Sequence, residues 1–286
     1  MSKPEVSNET GTLHVVATPI GNLDDFTVRA IDVLRSVRRI AAEDTRHTRR
    51  LLQHHGIDTP MVALHEHNER QVLERVIGWL EAGESIALVS DAGTPLISDP
   101  GFPLVRACRQ RGIRVSPVPG PSALIAALSV SGLPADRFCF HGFLPRQPQA
   151  RREKLASLQG QTGTQVFYES SHRILHALED LCAVLGEARK GCVARELTKR
   201  HEEILNGSLC ELARRVAENA DRRRGEFVVL VAPPEGGEDA LDAEARRVLE
   251  LLLEELPLKQ AAALAARITG EKKNRLYQEA LRLRGA

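Results

Sequence analysis

Aromatic side chains are scarce in this chain, at 3% of 286 residues with one tryptophan and two tyrosines. A single copy therefore offers a nucleic-acid partner little to stack on. No apolar run approaches the ~18 residues of a membrane span. Near the N-terminus Lys3 is followed by Glu5 and Glu9 without the apolar core of a signal peptide. The expectation is a chain that is neither inserted in a membrane nor exported. Cysteine is sparse and odd in number: Cys108, Cys139, Cys182, Cys192 and Cys210 form no C-x-x-C pair. Neither a zinc site nor a disulfide framework is expected, and a reducing cytoplasm fits best. Charge of one sign is not in excess either. The formal net charge of +1 argues against nonspecific coating of nucleic acid but leaves room for local basic patches.

Several motifs are missing as well. There is no G-x-x-x-x-G-K-[ST], and no G-x-G-x-x-G follows the first strand, so a P-loop nucleotidase and a classical dinucleotide fold lose their anchors. G-x-S-x-G and H-E-x-x-H are also absent. His65 and His67 alternate in LHEHNE, and His54 and His55 lie nearby, but no third ligand has metal-site spacing, so no metal is expected.

What is present is a globular composition, 42% hydrophobic and 27% charged, in a chain long enough for two domains. From residue 13, short apolar runs alternate with helical stretches: LHVVA, helix 27–37, RRIAAE, helix 46–55, MVALH, helix 69–82, IALVS, helix 102–111 and IRVSPV. Repeated βα predicts a largely parallel sheet. The rhythm then changes to FCFHGFL, a helix near 148–158, TQVFYE, helix 171–185, GCVARE, EEILNG, helix 208–219 and FVVLVA. A second, mixed sheet is expected. The class is α/β, with domains at 12–121 and 122–233. A Pro/Gly/acid-rich linker follows at 234–244, and a helix-turn-helix-like tail at 245–286. From Leu256 to Ala286 that tail carries seven Lys/Arg against Glu271 and Glu279. Its second helix opens on basic residues, which suits nucleic acid, although two amphipathic helices capping a domain or dimer look similar.

The most informative stretch is IALVSDAGTPLISDPGFPL, residues 86–104. The continuous run Ile86–Val89 reads as a central parallel strand, and the loop 90–101 lies at its carboxyl end, where open α/β sheets bind ligands. Gly93 and Gly101 let the backbone approach a ligand, and Pro95 and Pro100 stiffen it. Asp91 and Asp99 offer acceptors. Three more strand-end loops accompany it: ATPIGNLDDFT (17–27), AEDTRHT (42–48) and PVPGPSAL (117–124).

Taken in order, ATPIGNLDDFTVRA, AEDTR, SDAGTPLISDPG, PGPSAL, FYESSHR and RELTKRHEE resemble the ribosomal small-subunit methyltransferase I family, which has the tetrapyrrole-methylase fold. The resemblance runs from Leu13 to Ala232, and the tail is similar to the family's helix-turn-helix extension. It implies 2′-O-methylation of a cytidine ribose at the decoding centre of 16S rRNA, dependent on S-adenosylmethionine held in a cleft between the two domains. A homodimer acting on the assembled small subunit is implied too. Residue by residue, the cofactor contacts implied are Ile20, Gly21, Ser90, Asp91, Gly93, Thr94, Pro95, Ser122, Ala123 and Tyr168. The chain departs from the wider fold in two places: the glycine-rich first loop reads ATPIGN, and Gly-Asp-Pro becomes Ser-Asp-Ala.

The residue types suit that cofactor, which needs backbone groups for adenine, acceptors for its ribose and amino group, and a close wall around the sulfonium. Methyl transfer to a hydroxyl requires alignment and a group to receive the proton. Candidates are Asp44, Glu169, Glu196 and Lys199. Asp44 beside Arg46, and Glu196 between Arg195 and Lys199, would stay ionised and serve better as positioners than as bases. Each such cluster also reads as a salt bridge, and His172, at a helix start, reads as structural. Arg46, Arg173, Arg195 and Arg200 suit RNA phosphates through their planar forks. Two other readings stay open: a methylase of a tetrapyrrole or other small molecule on the same fold, and a DNA-binding ligand sensor.

Overall fold

The computed structural model describes residues 10–234 and 243–285. The expected linker lies almost wholly outside them, as do Lys3, Glu5 and Glu9. The chain forms two compact units: residues up to Ala127 with Glu196–Glu202, and Leu128–Arg195 with Glu203 onward.

The first unit alternates strand and helix: β1 (Thr12–Val16), α1 (Val28–Ser36), β2 (Arg39–Ala42), α2 (Thr45–His54), β3 (Met61–Ala63), α3 (Glu69–Glu81), β4 (Ile86–Val89), α4 (Phe102–Gln110) and β5 (Arg114–Val118). All five strands are parallel, in the order β3-β2-β4-β1-β5, so β4 is central as its apolar run predicts. Alternate side chains of β4 serve opposite faces, as a period of two requires. Ile86 and Leu88 pack with Val76, Ile77 and Leu80 of α3 and Leu104 of α4. Ala87 and Val89 pack with Ala30 and Leu34 of α1 and Leu51 and Leu52 of α2. A strand buried on both faces has no room for polar residues, which is why it reads as IALV.

The second unit contains β6 (Phe138–Phe143), α6 (Pro148–Ala156), β7 (Thr164–Ser170), α7 (Ile174–Leu185), β8 (Lys190–Arg195), β9 (Glu203–Ser208), α8 (Leu209–Glu218) and β10 (Glu226–Val231). The helix α5 (Ala123–Ser131) precedes them. Strand order is β6-β7-β10-β8-β9, with β6 parallel to β7 and the other pairs antiparallel. The sheet is mixed, as expected. One core joins Phe167, Val193, Val229 and Val231 to apolar faces of α6, α7 and α8.

The cysteine expectation requires correction. Cys182 of α7 and Cys210 of α8 form a disulfide, with Cα atoms 5.3 Å apart. Only the side-by-side packing of α7 and α8 brings these positions together, and a separation of 28 residues carries no local signal. Cys108 and Cys192 are buried free thiols, each pushed up to about 11 by burial and hence poor nucleophiles.

The tail folds as α9 (Ala243–Glu255), α10 (Leu258–Thr269) and α11 (Lys273–Gly285) around Leu249, Ala261, Ala262, Ala265, Leu276 and Ala280. Small alanines on α10 let the three helices approach closely. Gly270, at φ 75°, ends α10 in the left-handed conformation that the sequence assigns to its turn.

Candidate functional site

The strand order of the first sheet decides which loops meet. Carboxyl ends of β2, β4, β1 and β5 are successive neighbours, so AEDTR, SDAGTP, ATPIGN and PGPSA lie along one edge in that order. Each adjacent pair is fastened. Asp44 N donates to Asp91 Oδ1 at 3.0 Å, and Asp91 N to Glu43 Oε2 at 3.2 Å. Thr18 and Gly93 exchange two backbone hydrogen bonds of 2.9 and 3.0 Å, with Thr18 Oγ1 donating to Ser90 O at 3.2 Å. Ala17 N donates to Val118 O at 3.2 Å, and Thr94 Oγ1 of the β4 loop reaches past β1 to donate to Pro121 O at 3.0 Å. Gly93 is required here: its φ of 82° is left-handed, and a Cβ would come 3.4 Å from Ile20 Cγ2.

A fifth segment, Glu196–Glu202, belongs to the same unit. Asn22 N donates to Thr198 Oγ1 at 3.2 Å, and Lys199 Nζ lies 2.9 Å from Glu196 Oε1. A Cβ on Gly21 would collide with the Lys199 side chain and come within 3.0 Å of Leu197 O. Glu196 and Thr198 adopt φ of 49° and 64°, as Leu96 and Ser98 adopt 77° and 69° in the β4 loop. Four non-glycine residues in left-handed conformations each cost on the order of 1 kcal/mol or more, and such strain concentrates at functional sites. Between the segments lies a hollow of about 330 Å³ lined by Ile20, Asp25, Thr27, Gly120, Pro121, Ser122, Ala126 and Thr198. Sequence reasoning missed Thr198, because no local pattern forecasts a β-branched residue at positive φ.

Carboxylates crowd the β2 and β4 ends. Burial raises the Glu43 carboxyl, and neighbouring Asp91, Glu66 and Asp44 raise it further against the Asp91 N–H bond. Burial, with Glu43 and Asp91 nearby, raises Asp99 to about 6. Asp44 differs: the Arg46 fork and backbone N–H hold its carboxyl well below the usual carboxylate range. It caps α2 and pairs with Arg46 at 2.7 Å.

The remaining sequence-selected residues divide between the units. Arg200 is exposed in the first. In the second, Tyr168 stacks edge-on with Phe140 and Phe143 on β7 and β6. Glu169, 3% exposed, pairs with Arg173 at 3.3 Å, and burial raises its carboxyl despite Ser170 N–H and Arg173. Arg173 Nη2 also donates to Leu144 O and to Pro145 O. Its Nη2 is thus engaged inside the protein, while its Nε is buried without a hydrogen-bond partner among the described residues. Arg195 Nε donates to Arg224 O at 2.7 Å.

These loops can be set beside known proteins. The sequence profile of the Tetrapyrrole (Corrin/Porphyrin) Methylases matches residues 12–213, and that of the RsmI C-terminal HTH domain matches 239–284. The chain is 58% identical to Ribosomal RNA small subunit methyltransferase I of Pseudomonas aeruginosa, over 96% of this chain and 98% of that one. It is 55% identical to the protein of the same name from Escherichia coli O157:H7, over 97% of each. The chain belongs to the ribosomal RNA small subunit methyltransferase I family. As a member of that family it is an S-adenosylmethionine-dependent methyltransferase of the tetrapyrrole-methylase fold. Solved structures share the fold at lower identity. The cobalt precorrin-4 methyltransferase is 16% identical with a TM-score of 0.58, over 81% of this chain and 98% of that one. A Thermus thermophilus uroporphyrin-III C-methyltransferase complexed with S-adenosyl homocysteine is 18% identical with a TM-score of 0.52, over 77% and 96%.

The donor set of the first unit fits the cofactor. A hollow with little side-chain bulk at Gly120 and Ser122 and the carboxylate of Asp25 in its lining, with Glu43, Asp91 and Asp99 on the β2 and β4 loops of the same unit, suits a nucleoside carrying a cationic sulfonium and an ammonium group.

Proposed function

We propose that this chain methylates the ribose 2′-oxygen of a cytidine in the decoding region of 16S rRNA, within the small subunit, in the cytoplasm and as a homodimer. One observation carries the reading: the loops after β1 and β5 line one hollow of the first unit together with Thr198 of the strained 196–202 segment, while the β4 loop is hydrogen-bonded to both of them and the β2 loop to it. Relatives above 50% identity bearing the small-subunit methyltransferase name support RNA over a tetrapyrrole, and a basic tail is superfluous for a small substrate. The cytidine, its 2′-oxygen and the dimer are carried by the family resemblance.

S-adenosylmethionine supplies an electrophilic methyl group when bound. Ile20, Gly21, Ser90, Asp91, Gly93, Thr94, Pro95, Ser122 and Ala123 would hold it. Asp91 accepts from Asp44 N through Oδ1, and its Oδ2 has no hydrogen-bond partner among the described residues. Of the four acid-base candidates, Glu196 and Lys199 share the unit and segment of Thr198, which lines the hollow. Although its Lys199 partner makes it a weak base, Glu196 is the acid on the segment that lines the hollow, and it takes the hydroxyl proton while Lys199, 2.9 Å away, steadies the carboxylate. Arg46 and Arg200 of the first unit and Arg195 of the second contact phosphates, and the tail's Lys272 and Lys273 are exposed for the same use. Isotope-labelled cofactor and small subunits from a strain lacking the enzyme test this. One 2′-O-methylcytidine per subunit is expected after nuclease digestion; a base methyl, or no incorporation, overturns it.

A further inference from the structure

A second hollow, of about 470 Å³, opens within the second unit and is lined by arginines at 146, 151, 152 and 173 together with Asp180 and with His176 and Glu179, which pair with each other at 3.2 Å. Its floor is rigid. Arg151 is 5% exposed and holds Asp180 through Nε at 2.7 Å and Nη2 at 2.6 Å, while Arg152 Nε reaches the other oxygen of Asp180 at 2.6 Å. Burial works against the Asp180 carboxylate, but the Arg152 and Arg151 hydrogen bonds outweigh it and keep it ionised. One carboxylate thus orders two guanidinium groups. Arg173, fixed by Glu169 and two carbonyls, forms a wall.

Positive charge remains over. Arg146 is exposed and its guanidinium has no ion-pair partner among the described residues, and the Arg152 side chain is 63% exposed despite its bond to Asp180. Residues from the first turns of α6 and α7 border the hollow, and neither helix has a side-chain cap. Three residues before Arg146 in the chain, Phe143 is an exposed aromatic ring of the same unit, 55% exposed and packed edge-on against Tyr168.

We propose that this hollow is a phosphodiester-binding site for the RNA strand, with Arg146 and Arg152 as the forks that grip the phosphate and Arg151, Asp180 and Arg173 as the frame that aims them. It deepens the RNA reading above and rests on it. Guanidinium forks match phosphate oxygens in pairs, which lysines cannot do. Sequence inspection selected Arg173 for this task; the structure makes it a strut and passes the task to Arg146 and Arg152.

The test uses the intact chain with Arg146→Ala and Arg152→Ala combined, against a control pair, Arg214→Ala with Arg224→Ala, on other exposed parts of the same unit. Methylation of small subunits gives KM and kcat, and fluorescence anisotropy with a labelled mixed-sequence single-stranded RNA gives Kd. For the hollow pair, KM and Kd are expected to rise roughly tenfold, the order expected when one well-made charge-assisted bond is removed. The salt slope of log Kd should become shallower by about 0.7 for each phosphate that is no longer neutralised. The saturating kcat and the affinity for S-adenosylhomocysteine should stay within about twofold, and Arg146→Lys with Arg152→Lys should restore the salt slope but not the full affinity. Unchanged Kd and slope, or an equal weakening in the control pair, overturn the proposal. If wild-type chain binds RNA through these arginines yet adds no methyl to subunits, the hollow stands and the substrate reading falls.

Discussion

Asp99 stands out among the carboxylates because burial lifts it to about 6 from an ordinary 3.8. A raised carboxyl means the fold favours its protonated form. Its stabilising contribution is therefore present below the unfolded value and lost as pH rises through the folded one, between about 4 and 6. Asp99→Asn should consequently leave Tm near the wild-type value at about pH 4 and raise it at about pH 7.5, as read by scanning calorimetry. A variant that loses stability relative to wild type on going to the higher pH would contradict the burial argument. Glu196 makes a different prediction. If it accepts the hydroxyl proton, Glu196→Gln should lower kcat by roughly a hundredfold or more, the usual worth of a general base. The affinity for S-adenosylhomocysteine should hardly move in an equilibrium titration. At this scale the sequence was partly legible. Asp91, Thr94 and Ser122 are small polar residues in strand-end loops and could be picked out by position. Thr198 could not, because its place depends on a backbone conformation that its side chain disfavours, and Arg146 could not, because its freedom is visible only once Arg173 is seen to be occupied.

Among elements, the parallel strands read well because a strand buried on both faces is forced to be apolar throughout, and the helices between them because their apolar stripes repeat at 3.6 residues. The mixed second sheet followed from β9 and β10 flanking a single helix. What stayed hidden was the return of Glu196–Glu202 to the first unit, since nothing in RELTKRH says which sheet it will join. Gly21 shows how closely that segment approaches. A methyl group there meets Lys199, Thr198 and Leu197 O, the last a backbone atom that moves only if the segment moves. Gly21→Ala is thus expected to weaken S-adenosylhomocysteine binding by roughly tenfold, about 1.4 kcal/mol. Gly78→Ala is its counterpart on the exposed face of α3, where a Cβ meets nothing within 4 Å. That change should leave binding untouched and stabilise the helix by up to about 1 kcal/mol. Equal binding by the two variants would mean that the 196–202 segment does not wall the cofactor hollow.

For the whole molecule, a net charge of +1 conceals an uneven distribution. The first unit gathers carboxylates at its strand ends, where a cationic cofactor benefits from them, while the second unit carries an arginine-lined hollow and the tail a run of basic residues. Such a division suits an enzyme that must hold a sulfonium and a polyanion at once. The tail's helix-glycine-helix silhouette was legible because Gly270 sits between two periodic apolar patterns; its alanine-lined core, by contrast, emerges only when three helices are packed. The assignment of the cofactor to the β2, β4, β1 and β5 loop ends is central to all of this. Calorimetric titration of the intact chain with S-adenosylhomocysteine, wild type against Asp91→Ala, tests it most directly. One site per chain is expected, with affinity falling by roughly tenfold or more in the variant; an Asp91→Ala chain that binds as tightly as wild type would place the cofactor elsewhere.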